Sequence, residues 1–303
     1  MKVYSNMTFA DMVGQMYQDF LGQAARPVDV GQWQGRDIKG DAAKVTWEIR
    51  EAVLQLGMPE SIEGAQAMIS PNLPWAEDHF LERVGGRPLN PPPSAETWPF
   101  AQAGHADHVD GEGKFSHTYP ERFWPKHAGH DRCNCPHVAE VEDDQSIGYY
   151  SDYWGCQYNN RRGVRFEYGD LDDVVRRMVK SPMTRQAYLP VWFPEDTGAP
   201  EGERVPCTIG YHFMIREGRL HVSYTIRACD FMRHFRDDVY MAVRLAQWVR
   251  QEFDRQAHWW VGMGDLTMHI GSFHIFNGDR PMVKHLAMNH VREQSQRLLE
   301  TLQ

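Results

Sequence analysis

Residues 206–249 read PCTIGYHFMIREGRLHVSYTIRACDFMRHFRDDVYMAVRLAQWV. From 208 to 228 the text alternates around Glu217 and Gly218, with β-branched and aromatic residues on both arms. That pattern predicts two strands joined as a hairpin. The period then changes: DDVYMAVRLAQWVRQEF spaces its apolar residues as a helix does, and two acidic residues at its start, Asp237 and Asp238, suit a first helical turn. Cys207 follows a proline at the head of the first strand, and the second arm ends in Arg227 and Asp230.

Outward from this stretch, RQAYLPVWF (185–193) is strand-like and DLDDVVRRMVKSP (170–182) is a capped helix. At the N-terminus, Thr8 caps a helix with Met12, Met16 and Phe20 on one side. Residues 61–84 predict two helical pieces separated by Pro71 and Pro74, and RPLNPPPS predicts an extended loop. A last helix follows Pro281. Residues 101–163 are rich in His, Asp and Gly and keep no period, which reads as long irregular structure. With no internal repeat and no convincing linker, 1–303 is expected to be a single catalytic domain carrying an irregular His-rich insertion at about 101–160.

The bulk numbers narrow the function. Hydrophobic residues make up 42% and charged residues 24% of the 303, and the mean hydropathy is −0.59, the balance of a soluble globular protein with no membrane span. A net charge of −9 argues against broad nucleic-acid binding, which needs a positive field. The opening residues lack the apolar core of a secretion signal, so five cysteines in a chain of this length predict free thiols and a cytoplasmic location.

Arg185, Cys207, Arg227 and Asp230 are spaced as an anion-binding set around a thiol, with guanidinium charge expected to lower the thiol pKa. Taken alone, the pattern also fits a buried strand cysteine. The segment PC, hairpin, RACDFMRHFRDDVYMAVRLAQWV resembles the Pro-Cys nucleophile, Arg-Ser-x-Asp motif and following helix of thymidylate synthases. TRQAYLPVW and GSFHIF resemble two flanking segments of the same family, and the likeness covers about 170–280.

The resemblance implies an α+β thymidylate synthase fold: a large mixed β-sheet with helices on one face, the other face apolar and buried in a homodimer interface. It implies that Cys207 adds to C6 of a pyrimidine nucleoside monophosphate, and that 5,10-methylenetetrahydrofolate is the cosubstrate, with no metal required. Arg227 would bind the phosphate in its own subunit, Arg185 would reach the partner's site, and Arg36 would be the phosphate-loop arginine. His274 would bind the sugar, and Asp230 and Trp98 the folate. Glu77 would shuttle protons to the base, with Asp78 as the alternative at a one-residue slip, and Tyr119 would position water near C5.

Four departures bear on substrate and product. Asp238 stands where the family has asparagine, and a carboxyl group can accept from cytosine's amino group and, when protonated, donate to N3. The same exchange occurs in the deoxycytidylate hydroxymethylases that the chain resembles. The terminal VREQSQRLLETLQ reads as a charged helix and not as the family's apolar tail, which would let water capture the one-carbon unit. Ala228 replaces a phosphate-facing serine and Phe276 a sugar-contacting tyrosine, leaving dCMP and CMP both open. The resulting expectation is 5-hydroxymethylation of a cytosine nucleotide. Its rivals are a dUMP methylase or hydroxymethylase, a dCMP methylase, and a non-catalytic nucleotide-binding relative. HAGHDRCNCPH groups His127, His130, Cys133, Cys135 and His137, but its C-x-C spacing is not that of a zinc finger, so it is read as a surface loop.

Overall fold

The computed structural model describes residues 1–33, 36–100, 109, 111, 113–125, 169–197 and 204–301. Most of the His-rich insertion, including the cluster from His127 to His137, lies outside the described residues.

The main sheet runs in the order β1 (Lys2–Tyr4), β5 (Thr46–Gly57), β9 (Gly262–Phe276), β8 (Arg219–Asp230), β7 (Thr208–Arg216), β6 (Tyr188–Pro190), with β2 (Arg26–Val28) also on β5. It is mixed: β1 with β5 and β8 with β9 are parallel, while β5–β9, β7–β8 and β6–β7 are antiparallel. Two short strands, β3 (Gln32–Trp33) and β4 (Arg36–Asp37), pair separately. The β7–β8 turn forms as the sequence predicts, with Glu217 and Gly218 both at positive φ, the geometry a twisted two-residue hairpin needs.

Seven helices and two 3-10 turns (Pro93–Thr97 and Asn277–Asp279) are described before the C-terminal helix: α1 (Phe9–Leu21), α2 (Ile62–Ile69), α3 (Trp75–Val84), α4 (Tyr119–Phe123), α5 (Leu171–Lys180), α6 (Pro194–Thr197) and α7 (Phe235–Ala257). Thr8 caps α1 by accepting from the Asp11 amide. Pro71 and Pro74 separate α2 from α3 as expected, whereas the third proline of PPP opens the first 3-10 turn instead of continuing an extended loop. Helix α7 starts at Phe235, two residues before the expected Asp237. The reason is Asp230, whose carboxylate accepts from the Met232 and Arg233 amides and folds the chain into the helix early.

The core lies between the sheet and the helices. Leu54, Val222, Tyr224, Ile226, Met268 and Ile270 project from the central strands to meet Val239, Ala242, Val243, Ala246 and Val249 of α7, all nearly inaccessible. A buried side chain of this kind contributes about 1.5–3 kcal/mol, so this layer is what the helix depends on. The C-terminal helix α8 (Arg280–Thr301) crosses α1 at Gly14, where a Cβ would fall 2.0 Å from the His290 ring. Among the described residues no helix is long and apolar enough to cross a membrane.

The opposite face of the sheet carries Gln55, Ser223, Thr225, Thr267 and His269 with Val53, His212 and Met214. It is therefore mixed in polarity, and the expectation of an apolar face is corrected: alternation places the large apolar residues of β7, β8 and β9 on the helix side.

Candidate active site

Strand register gathers the site at one end of the sheet. Asp230 at the end of β8 pairs with His274 of β9, Thr46 at the start of β5 pairs with Phe276, and the Arg227 amide donates to the Cys207 carbonyl at 2.8 Å. Gly271 lets β9 approach this point, since a Cβ there would lie 2.9 Å from the Arg227 carbonyl oxygen. Over these strand ends sit the first turn of α7, one side of α3, the Pro93–Thr97 turn and α4. Together they enclose a cavity of about 650 Å³, within the about 300–1,000 Å³ that small-molecule sites span.

Of the residues singled out in the sequence, Cys207, Tyr119, Arg227, Asp230, Asp238, His274 and Trp98 all line this cavity. Arg227 is pinned to the loop before the cysteine, donating from Nε to the Pro206 carbonyl at 2.9 Å and from Nη2 to that of Val205 at 3.2 Å. Tyr119 shares a hydrogen bond with Thr208, the residue after Cys207, at 3.2 Å. Trp98 stacks on His234 with ring centroids 5.5 Å apart.

Burial pushes the Cys207 thiol above its ordinary value, with Asp238 adding to the rise, against the pull of Arg227 and Arg204. The expected net lowering by arginine is thus corrected: desolvation disfavours the thiolate more than the two cations favour it. Burial likewise raises the Asp238 carboxyl to about 7 and brings the His234 imidazole down to about 4. The Cys229 thiol donates to Asp238 Oδ2 at 3.6 Å. The neighbouring Asp237 has a different task, accepting from the main-chain and side-chain nitrogens of Asn72, both at 2.8 Å.

Two expected site residues, Glu77 and Arg185, are not brought to the cavity. Glu77 faces α7, where Arg244 binds it through Nε at 2.9 Å and Nη2 at 2.8 Å and Tyr240 donates to it at 2.6 Å. Burial favours its neutral form, but these bonds outweigh that and hold the carboxyl below its usual value. Its alternative, Asp78, is exposed. Arg185 lies on an exposed segment away from the cavity of its own chain. Arg36 falls in the short β4, and its side chain is outside the described set.

In place of Glu77 the cavity side of α3 presents Trp75, His79 and Arg83, which sequence reasoning passed over. The available signal was their spacing of four, one stripe of a helix. Arg83 is 5% exposed, lies 3.9 Å over the Tyr119 ring, and its Nε has no hydrogen-bond partner among the described residues. Arg204, also missed, lines the cavity beside Cys207, and burial lowers its pKa. Among the described residues there is no cluster of three metal-ligating side chains.

The cavity thus brings together a cysteine at a strand head, the guanidinium groups of Arg227 and Arg204, and a buried carboxyl on the first turn of a helix. A profile of the thymidylate synthase family matches residues 122–301, more than half of the chain, and the chain belongs to that family. It is 32% identical over 120 residues to a protein of Methanothermobacter thermautotrophicus named "Putative thymidylate synthase", covering 39% of this chain and 50% of that one. A protein of the same name from Methanosarcina mazei is 27% identical over 151 residues, covering 50% and 64%. The chain spans about half the length of the curated relatives it matches. Its fold is similar to that of the thermostable thymidylate synthase A from Bacillus subtilis, with a TM-score of 0.60 at 12% identity, covering 93% of this chain and 84% of the other.

Proposed function

We propose that this protein transfers a one-carbon unit from methylenetetrahydrofolate to C5 of a cytosine nucleotide, dCMP or CMP, giving the 5-hydroxymethyl product. The observation that carries the choice of base is Asp238, which shares the cavity with Cys207 and has a carboxyl pKa of about 7. A carboxyl group with one proton to share meets cytosine as a fork: the proton lies between one oxygen and N3, and the amino group donates to the other oxygen. Such two-pronged pairs gain charge assistance that a neutral pairing with uracil lacks.

Cys207 is the nucleophile for C6, and its high pKa in the free protein means that it ionises on loading or through a base, not beforehand. Arg227, with Arg204 beside it, offers guanidinium donors for the phosphate. His274 and Ser272, which also line the cavity, would hold a sugar hydroxyl. The folate supplies the electrophilic carbon when bound, and the aromatic surfaces of Trp75, Trp98 and Phe276 in the cavity wall suit a flat heterocycle. Polar groups along the wall, Ser116 and His117 among them, favour admission of the water that completes a hydroxymethyl group. Arg185, exposed and remote from its own cavity, fits the reading that it serves a second copy of the chain in a homodimer.

The test is mass analysis of products after incubation with methylenetetrahydrofolate and dCMP, CMP or dUMP in parallel. A hydroxymethylated cytosine nucleotide is expected. Reaction with dUMP alone, or a methylated product, would replace the proposal with the uracil or the methylase reading respectively, and no reaction with any of the three would favour a non-catalytic role.

A further inference from the structure

Helix α3 carries into the cavity a group whose arrangement is that of a proton acceptor. His79 is stacked on Trp75, with ring centroids 5.0 Å apart and planes 18° apart, and meets the edge of Tyr119 at 6.4 Å. Its Nδ1 lies 2.8 Å from Ser94 Oγ and 3.4 Å from Glu82 Oε2. Ser94 in turn gives its hydroxyl proton to Glu82 Oε2 through a short bond, and its amide donates to Glu82 Oε1 at 2.6 Å. Since the serine proton is committed to the carboxylate, Ser94 Oγ must accept from the histidine, and the direct contact with Glu82 demands the same. Nδ1 therefore carries the hydrogen, and Nε2 keeps a lone pair with no hydrogen-bond partner among the described residues. The ring lines the same cavity as Cys207.

Resting on the proposed function, we propose that His79 Nε2 accepts the proton from C5 of the bound pyrimidine, with Ser94 and Glu82 as positioning residues that fix the ring and its tautomer. The chemistry requires such a base, because any group that stays on C5 of an aromatic ring replaces the hydrogen there. In the simplest form, the Cys207 adduct has already gained a solvent proton at C5. His79 then takes one C5 proton, the C–H electron pair becomes the C5=C6 double bond, and the C6–S pair leaves with the sulfur as thiolate. The imidazolium so formed has a serine-carboxylate chain behind it to spread its charge, and it returns the proton to water.

The charge environment keeps this base unprotonated. Burial and the Arg83 cation bring the imidazole down to about 4, against the opposing influence of Glu82. Among the described residues, the other titratable group packed against it is Tyr119 from α4, whose own pKa burial raises, so it remains neutral.

The experiment measures tritium release to water from 5-tritiated CMP, dCMP and dUMP, without folate, for the unaltered protein and for His79→Asn, His79→Gly and Glu82→Gln, with nucleotide affinity measured alongside. His79→Asn is expected to lose exchange by roughly a hundredfold or more with little change in affinity. Added imidazole is expected to restore part of the exchange in His79→Gly. Glu82→Gln retains exchange at a lower level, and the acid limb of its pH profile moves to lower pH, because the carboxylate that raises the histidine's pKa is gone. Exchange that persists in His79→Asn, or an affinity loss that accounts for the whole effect, would overturn the assignment while leaving the proposed function in place. No exchange by the unaltered protein with any of the nucleotides would remove the proposed function and this assignment with it.

Discussion

Replacing Asp238 by asparagine separates the structural role of the carboxyl from its role in choosing the base. A carboxyl held at about 7 in the fold against an unfolded value of 3.8 has a disfavoured anion, by an amount on the order of 4 kcal/mol. The sign follows from proton linkage: the folded state binds the proton more tightly, so stability is greatest below the unfolded pKa and falls as pH rises through the folded one. Asp238→Asn has no anion to bury. It should match the unaltered protein in stability near pH 4 and exceed it at pH 8, by on the order of 2–4 kcal/mol in urea unfolding. Function should move the other way. The amide can still donate to N3 and accept from the amino group, but it loses the charge assistance of a shared proton, about 1–1.5 kcal/mol, so kcat/KM for the cytosine nucleotide should fall about tenfold. The uracil nucleotide should gain. Parallel kinetics with CMP, dCMP and dUMP at pH 7 read this directly. A stability gain at pH 8 with an unchanged ratio of cytosine to uracil turnover would refute the base-recognition reasoning while keeping the burial of Asp238.

Cys207→Ser should abolish turnover and any covalent protein–nucleotide adduct seen by mass spectrometry, with little change in melting temperature; retained turnover would exclude the covalent route. Glu77→Ala should cost about 2 kcal/mol of stability, less than a fully buried pair because Glu77 is 22% exposed. It should also leave C5 exchange nearly intact, and a selective loss of exchange would put Glu77 back in the chemistry. His234, at about 4 in the fold and 6.5 unfolded, is neutral when folded, so its contribution falls as pH drops from 6.5 to 4, on the order of 3 kcal/mol in all. Asp238 acts in the opposite direction over the same window, so the observable is the difference between the unaltered protein and His234→Phe, which should lose less stability on acidification.

Local chemistry was legible in the order of residues alone. The hairpin at Glu217 and Gly218, the Thr8 cap and the proline break between α2 and α3 are each decided within a few residues of chain. Two of the central strands were harder to see. In β5 the alternation is interrupted at Arg50 and Glu51, where Glu51 sits at positive φ, and only the GSFHIF end of β9 stood out from its surroundings. Both are held by partners distant in sequence, which no local pattern records.

The site divides in the same way. Cys207, Arg227, Asp230 and Asp238 lie within one hairpin and one helix start, so their order in the chain already determined that they would meet at one end of the sheet. Residues from α3 had no such constraint. Glu77 and His79 are two positions apart on a helix, hence about 200° apart around its axis, and either side could have faced the cavity. What settled it was packing: Arg244 and Tyr240 of α7 capture Glu77, and the opposite stripe of Trp75, His79 and Arg83 is left to line the cavity. Sequence alone determined which chemistry the hairpin could bring. Only the docking of one helix on another, through an ion pair spanning 167 positions, decided which face of α3 would serve it.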